Sequence, residues 1–368
     1  MATIEEQIKD IEDEIFNTQK NKATEHHIGK LKAKLAKLRA QLELHRAKSS
    51  TGGKGYYIKK AGDATVALVG FPSVGKSSLL NALTKSRSEV AEYQFTTLDV
   101  IPGIMEYEGA KIQILDMPGI IRGASKGKGR GKEVIAAARN SDIILLMGDV
   151  FNFRIDVLER ELYDAGIRLN QRAPDIHFTP SERGGLIVRS TLPLRKMTEE
   201  QIIEIVRAYG LISGTIVFRE DVEPDRLVDF LAGNRVYIPS VTVVNKYDQS
   251  YEGVEKNIRK YVFGDYLKLS VTKNQGVERL RRLLYETLGF MRIYLKPQGE
   301  PADMEEPLVI LNGSSVRAIC EHLHRDFVEN FRYANVWGPS AKYPGQTVGM
   351  YHELKDGDIV TVVIKKKS

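Results

Sequence analysis

The chain almost lacks cysteine. Cys320 stands alone among 368 residues, which excludes an internal disulfide and a cysteine-based metal site and suits a reducing compartment. No apolar run is long enough to span a bilayer, and no apolar secretory segment follows Met1. The expectation is therefore a cytoplasmic chain with no membrane partner. Histidine is also too sparse for a metal cluster: His177 is isolated, and His322 and His324 lie two apart on an expected helix, on diverging faces. With 42% apolar and 28% charged residues the chain reads as globular, and its length leaves room for two or three domains. The net charge of +6 permits an anionic partner without requiring one.

What is present centres on Gly70-Phe71-Pro72-Ser73-Val74-Gly75-Lys76-Ser77, which fits the phosphate-loop pattern G-x-x-x-x-G-K-[ST]. It follows an apolar run, Val66 to Val69, that reads as a buried strand, and Ser78 to Leu83 reads as the first turns of a helix. That setting separates it from a chance match in a glycine-rich turn. Glycines let the backbone curl so that N–H groups from Gly70 to Ser78 point at phosphate oxygens, and the helix start adds its partial positive charge. Lys76 is expected to reach the β- and γ-phosphates, and the Ser77 hydroxyl to ligate Mg²⁺.

Two further elements follow at the expected intervals. Ile101 to Tyr107 and Lys111 to Leu115 flank Glu108-Gly109-Ala110, a hairpin whose second strand ends at Asp116-Met117-Pro118-Gly119. Asp116 can hold Mg²⁺ through water, and the Gly119 N–H can sense a γ-phosphate. Between the loop and Asp116 lies Phe95-Thr96-Thr97-Leu98, where a threonine can complete the Mg²⁺ shell. Thr97 is the expected one, although spacing alone does not choose it over Thr96. The alternating glycines and bases from Ile121 to Lys132 read as a mobile switch or as a static RNA-binding tract, and their position favours the switch.

The base-reading motif is Asn245-Lys246-Tyr247-Asp248, at the end of the strand Val241 to Val244. A carboxylate at Asp248 accepts two hydrogen bonds from guanine N1–H and N2–H₂, which adenine cannot supply. Asn245 is expected to meet O6 and N7, and the Lys246 stem to cover the ring. Ser270-Val271-Thr272 ends the next strand, where a backbone N–H is expected at O6. The three motifs together point to GTP and GDP, with Lys76, Thr97 and Gly119 acting in hydrolysis.

Around this core the chain opens with Ile4, Ile8, Ile11 and Ile15, then Ile28, Leu31, Leu35, Leu38 and Leu42, two amphipathic helices joined by a short loop. The second carries Lys30, Lys32, Lys34, Lys37, Arg39, Arg46 and Lys48 against Glu43 alone, a solvated face or a contact with RNA phosphates. Ser49 to Gly55 reads as a flexible linker. Between Val150 and Ser240 the chain exceeds what a parallel crossover needs, and the surplus reads as an inserted α+β domain. Its elements are a strand pair, Asp175 to Phe178 and Leu186 to Thr191, with helices Thr198 to Tyr209 and Glu223 to Leu231 and the strand Gly214 to Arg219. After Met291, strands around one helix suggest a β-grasp module.

The motifs Gly-Phe-Pro-Ser-Val-Gly-Lys-Ser (70–77), Tyr93 to Leu98 and Asp116-Met117-Pro118-Gly119-Ile120 resemble those of the Obg branch of translation-factor-class GTPases. Within that branch, Thr18 to Thr24 and Leu31 to Leu38 resemble the developmentally regulated GTP-binding (DRG) proteins of eukaryotes and archaea, and the likeness runs nearly end to end. The resemblance implies an α/β fold: a P-loop GTPase domain (63–166 with 237–290) and an inserted small α+β domain like ribosomal S5 domain 2 (167–236). It also implies an N-terminal helical hairpin and linker (1–62) and a C-terminal β-grasp (TGS) domain (291–368). It further implies a GTP-hydrolysing switch associated with ribosomes or ribosomal RNA and, in eukaryotes, a zinc-finger regulatory partner. A guanine-nucleotide-dependent scaffold and an Obg-type ribosome-assembly factor are the alternatives. GTPases of the Ras type place a glutamine right after the switch glycine to orient the attacking water, and here that position is Ile120. Slow hydrolysis assisted by K⁺, a partner or the ribosome is therefore expected. Potassium-dependent relatives often carry asparagine where this chain has Ser73, which weakens the cation case.

Overall fold

The computed structural model describes residues 3–19, 24, 27–31, 34–35, 38, 62–84, 101–117 and 131–365. These fall into two compact units, one drawn from 56–165 and 238–368, the other from 1–55 and 166–237.

The first unit is built on a six-stranded sheet of β1 (Ala64–Gly70), β2 (Ile101–Tyr107), β3 (Ala110–Asp116), β4 (Ile143–Asp149), β5 (Ser240–Asn245) and β6 (Leu267–Lys268). The order is β6-β5-β4-β1-β3-β2, parallel except for β2. Every residue of β1 and β4 is buried, the pattern of parallel strands covered on both faces. Helices Lys76–Leu83 and Val277–Leu288 bury Leu79, Leu80, Leu83, Leu280 and Leu284 with Val66, Leu68, Ile112, Ile114 and Leu145. The helix Ile155–Asp164 lies against the other face, where Gly148 leaves room for Ile155. The β2–β3 hairpin turns through Glu108 and Gly109 at φ +49° and +83°, a two-residue connection matched to strand twist.

That hairpin tip meets a second sheet in the same unit. Strands β7 (Phe290–Leu295), β8 (Leu308–Leu311), β9 (Phe331–Trp337), β10 (Gln346–Val348) and β11 (Asp358–Ile364) run in the order β8-β7-β11-β9-β10. One helix, Val316–Leu323, buries Val316, Ile319 and Cys320 on them, giving a β-grasp domain. Arg292 on β7 joins Glu108 at 2.6 Å and Asp356 at 2.9 Å, and the Tyr285 ring meets those of Tyr107 and Phe290 at interplanar angles of 59° and 62°. The His324 Nδ1 accepts from the Asp326 N–H at a helix start.

In the second unit, the helix Ile4–Asn17 starts with a capping box between Thr3 and Glu6. It buries Ile8 and Ile11 with Leu31 and Leu38, as the spacing predicts. The helical segment 27–31 packs its Gly29 toward Ile205 and Pro224, and Lys30 pairs with Glu204 at 2.7 Å. One lysine of the basic run is thus committed to the inserted stretch; Lys32, Lys37, Arg39, Arg46 and Lys48 lie outside the described residues. The insert holds helices Glu199–Ala208 and Pro224–Ala232 against a three-stranded sheet. The sequence-based pairing of its first two strands is corrected. Ile176–Pro180 and Leu186–Ser190 do not neighbour each other, because Gly214–Phe218 lies between them, antiparallel to one and parallel to the other. The central strand is the one that buries Ile216 and Phe218 completely, a load an edge strand cannot cover. Arg168 and Asp229, both nearly inaccessible, form a two-point ion pair at 2.6 and 2.7 Å, and Arg235 adds a third bond to Asp229.

Candidate nucleotide-binding site

Parallel strands of an open sheet deliver their carboxyl ends to one edge, and ligands bind in the crevice outside it. Here Gly70, Asp116, Asp149 and Asn245 end β1, β3, β4 and β5 at that edge. From Gly70 the chain loops over Phe71 to Val74 and re-enters a helix at Lys76. Val74 and Lys76 are buried, while Pro72, Ser73, Ser77 and Ser78 are exposed. Ser73 takes φ +63° and Gly75 φ +97°, the curled backbone that a phosphate cradle needs.

The Lys76 ammonium donates to the carbonyls of Gly70 and Phe71 at 3.3 and 3.1 Å. Burial pushes its pKa below the ordinary lysine value, and the neighbouring Asp116 carboxylate opposes that shift. The Ser77 hydroxyl donates to Asp116 Oδ2. A hydroxyl and a carboxylate side by side at a helix start are donors of the kind Mg²⁺ takes. Among the described residues there is no group of three His, Cys, Asp or Glu that could hold a metal. Thr97, Gly119 and the glycine-rich tract 121–130 lie outside the described residues.

On the other side, Lys246 begins a short 3-10 turn, Tyr247–Gln249, from φ +56°. Asp248 Oδ1 is buried and has no hydrogen-bond partner among the described residues. An unpaired buried carboxylate oxygen is costly unless a ligand satisfies it, and guanine N1–H with N2–H₂ is the donor pair that fits. Tyr247 and Lys268 both bond Glu255, bracing the turn from outside.

Asn245 does something the sequence did not suggest. Its Nδ2 donates to the Val74 carbonyl at 2.9 Å and its Oδ1 accepts from the Val271 N–H at 3.2 Å. The side chain is a brace between the phosphate loop and the next strand end, with one amide hydrogen left over. Of the three N–H groups in the stretch expected near O6, two are engaged: Ser270 donates to the Gln275 carbonyl and Val271 to Asn245 Oδ1. Lys246 reaches across to the Ser73 carbonyl at 2.9 Å and pairs with Asp149 at 2.6 Å. Asp149 went unnoticed in the sequence, although it ends an apolar strand just as Asp116 does.

No helix among the described residues is long and apolar enough to cross a membrane. Family models match three consecutive stretches: a 50S ribosome-binding GTPase over residues 65–178, the C-terminal region of the MMR_HSR1 domain over 183–290, and a TGS domain over 291–364. An uncharacterized GTP-binding protein of Methanocaldococcus jannaschii is 54% identical over 367 residues, 99% of this chain and 93% of its own length. Developmentally-regulated GTP-binding protein 2 of Bos taurus is 45% identical over 363 residues, 98% of this chain and 99% of its own. Its Homo sapiens counterpart matches at 45% over the same span.

Proposed function

The chain belongs to the developmentally regulated GTP-binding family of GTPases, and from that premise we propose that it is a cytoplasmic, GTP-hydrolysing switch acting on ribosomes or ribosomal RNA. The observation that carries the base assignment is Asp248 Oδ1, buried and without a hydrogen-bond partner among the described residues, in the turn whose Lys246 meets the Ser73 carbonyl. The match of residues 65–178 to a family described as 50S ribosome-binding GTPase, and the TGS match, support the ribosomal part of the reading. We keep four working modules: hairpin, GTPase core, α+β insert and TGS domain.

In this reading the backbone N–H groups between Gly70 and Ser78, of which Pro72 has none, cradle the phosphates, and Lys76 leaves the Gly70 and Phe71 carbonyls to meet the β- and γ-oxygens. Ser77, Asp116 and Thr97 hold Mg²⁺, which when bound draws charge from the phosphates. The Gly119 N–H reports the γ-phosphate. Asp248 selects guanine, while Asn245 and Lys246 keep the base pocket joined to the phosphate loop. Ile120 offers no donor or acceptor to orient water, so basal turnover is slow. K⁺, the ribosome or, in a eukaryotic setting, a zinc-finger partner raises it.

Competition tests the nucleotide assignment: GTP and GDP displace labelled GDP, and displacement by ATP at comparable concentration would overturn it. Co-sedimentation with mature ribosomes in the GTP form tests the partner. Sedimentation only with assembly intermediates would favour the assembly-factor reading.

A further inference from the structure

Two loops on opposite sides of the site each contain a non-glycine residue in the left-handed region, Ser73 at φ +63° and Lys246 at φ +56°. L side chains adopt that conformation at a cost, so the surroundings must hold it. One ammonium links the two, since Lys246 Nζ donates to the Ser73 carbonyl at 2.9 Å. The same ammonium lies 2.6 Å from Asp149 Oδ2, whose side chain is 5% exposed against 31% for Lys246. The other Asp149 oxygen accepts from the N–H groups of Phe151 and Asn152 at 3.0 and 2.7 Å, which orients the carboxylate. Nearby, the Val150 N–H donates to the Asn245 carbonyl, so the turn after β4 is fastened to the base-reading strand.

Resting on the nucleotide reading above, we infer that Asp149 is a positioning residue: it holds Lys246 across the apex of the phosphate loop and so slows release of any purine nucleotide, without choosing the base. A carboxylate with two backbone donors on one oxygen has its second oxygen aimed at a fixed point. The lysine is drawn to that point rather than into water, and its stem then lies where it covers the base. Without the carboxylate the ammonium is free to turn outward, and the Ser73 carbonyl loses its donor. The Asn245 bond to Val74 persists, so the loop is loosened rather than lost. Base choice stays with Asp248, which Asp149 does not touch in this arrangement.

The test is a double-mutant cycle on dissociation of fluorescent GDP from the full chain, with Asp149→Asn, Lys246→Met and the double variant. Asp149→Asn keeps an oxygen for Phe151 and Asn152 but removes the charge. It should speed release by roughly tenfold, the scale of one charge-assisted bond. The double variant should release no faster than Lys246→Met alone, because Asp149 acts through that lysine. The GDP-to-XDP affinity ratio should be that of the wild type, whereas Asp248→Asn changes it. Multiplicative rates in the double variant, wild-type release from Asp149→Asn, or a shifted base ratio would each overturn the inference. If Asp149→Asn does not fold, Asp149→Ser, which caps the turn with a neutral hydroxyl, takes its place in the cycle. Wild-type protein that retains no GDP would remove the nucleotide reading and this inference together. Retention by the wild type with a multiplicative cycle removes the inference alone.

Discussion

The base half and the phosphate half of the site are built on different terms. On the phosphate side Lys76 and Ser77 are satisfied by the protein itself: Lys76 bonds two loop carbonyls, and Ser77 bonds Asp116. A nucleotide must exchange those bonds for its own, and the net gain is the difference between the two sets. On the base side the framework is already braced by Asn245, Lys246 and Asp149, and one buried carboxylate oxygen, on Asp248, has no partner among the described residues. A ligand there relieves a standing cost rather than trading one bond for another. The phosphate half therefore supplies charge and chemistry, and the base half supplies selectivity from a preorganised pocket.

Lys76→Ala should break the phosphate half with the largest effect. It removes a charge aimed at the transferring phosphoryl group, and single-turnover hydrolysis should fall by about 10³-fold or more. Hydrolysis near the wild-type rate would show that Lys76 never leaves the Gly70 and Phe71 carbonyls. Next in size, Asp248→Asn should weaken GDP by roughly 100-fold and bring XDP to the fore, since an amide offers a donor where guanine has its own. Equal weakening of both nucleotides would place base choice elsewhere.

A third variant tests the joint between the halves. A Cβ on Gly75 would stand 2.5 Å from Asn245 Nδ2, at a backbone φ of +97°. Gly75→Ala should cost GDP and XDP alike about tenfold to a hundredfold, read by competition binding; an effect on only one base would contradict a shared brace. The smallest expected signal is protonic. The Lys76 pKa lies below its ordinary value of 10.5 in the unliganded protein, through burial. Between the lowered value and 10.5 the unfolded chain holds a proton that the folded chain lacks, so unliganded stability rises with pH across that window. Phosphate restores the charge, so GDP binding should take up a proton there. Calorimetry in buffers of different ionisation enthalpy reads this directly, and no uptake would mean the ammonium is already charged before binding.

Much of the site was legible because its motifs are local. The strand, loop and helix around Lys76 are set by an apolar run, two glycines and a helix former within twenty residues, and the hairpin turn by Glu108-Gly109. The role of Asn245 was not legible. Its partners Val74 and Val271 lie 171 and 26 residues away, and only the β1–β4–β5–β6 order brings all three together. Asp149 escaped for the same reason, since its partner Lys246 is 97 residues on. The insert was read as the right elements in the wrong order, because Leu186–Ser190 and Gly214–Phe218 have equally good strand patterns and pairing depends on which one can bury its alternate apolar residues completely. The N-terminal helices showed their own apolar stripe but gave no sign that Lys30 would meet Glu204.

By itself the sequence determined the kinds of chemical group available and their local geometry: a curled loop ending in Lys76, carboxylates at strand ends, and a carboxylate suited to guanine. Those follow from short-range sterics, periodicity and side-chain donor patterns, which need no distant partner. The tertiary structure decided which groups are occupied and which are left waiting. Whether Asn245 faces a base or a backbone carbonyl, whether Lys246 is free or tied to Asp149, and whether Asp248 Oδ1 is paired all depend on strand order and register. Those are settled only when the whole sheet buries its apolar faces together, because a polar group's neighbours in the fold come from strands that the chain visits far apart.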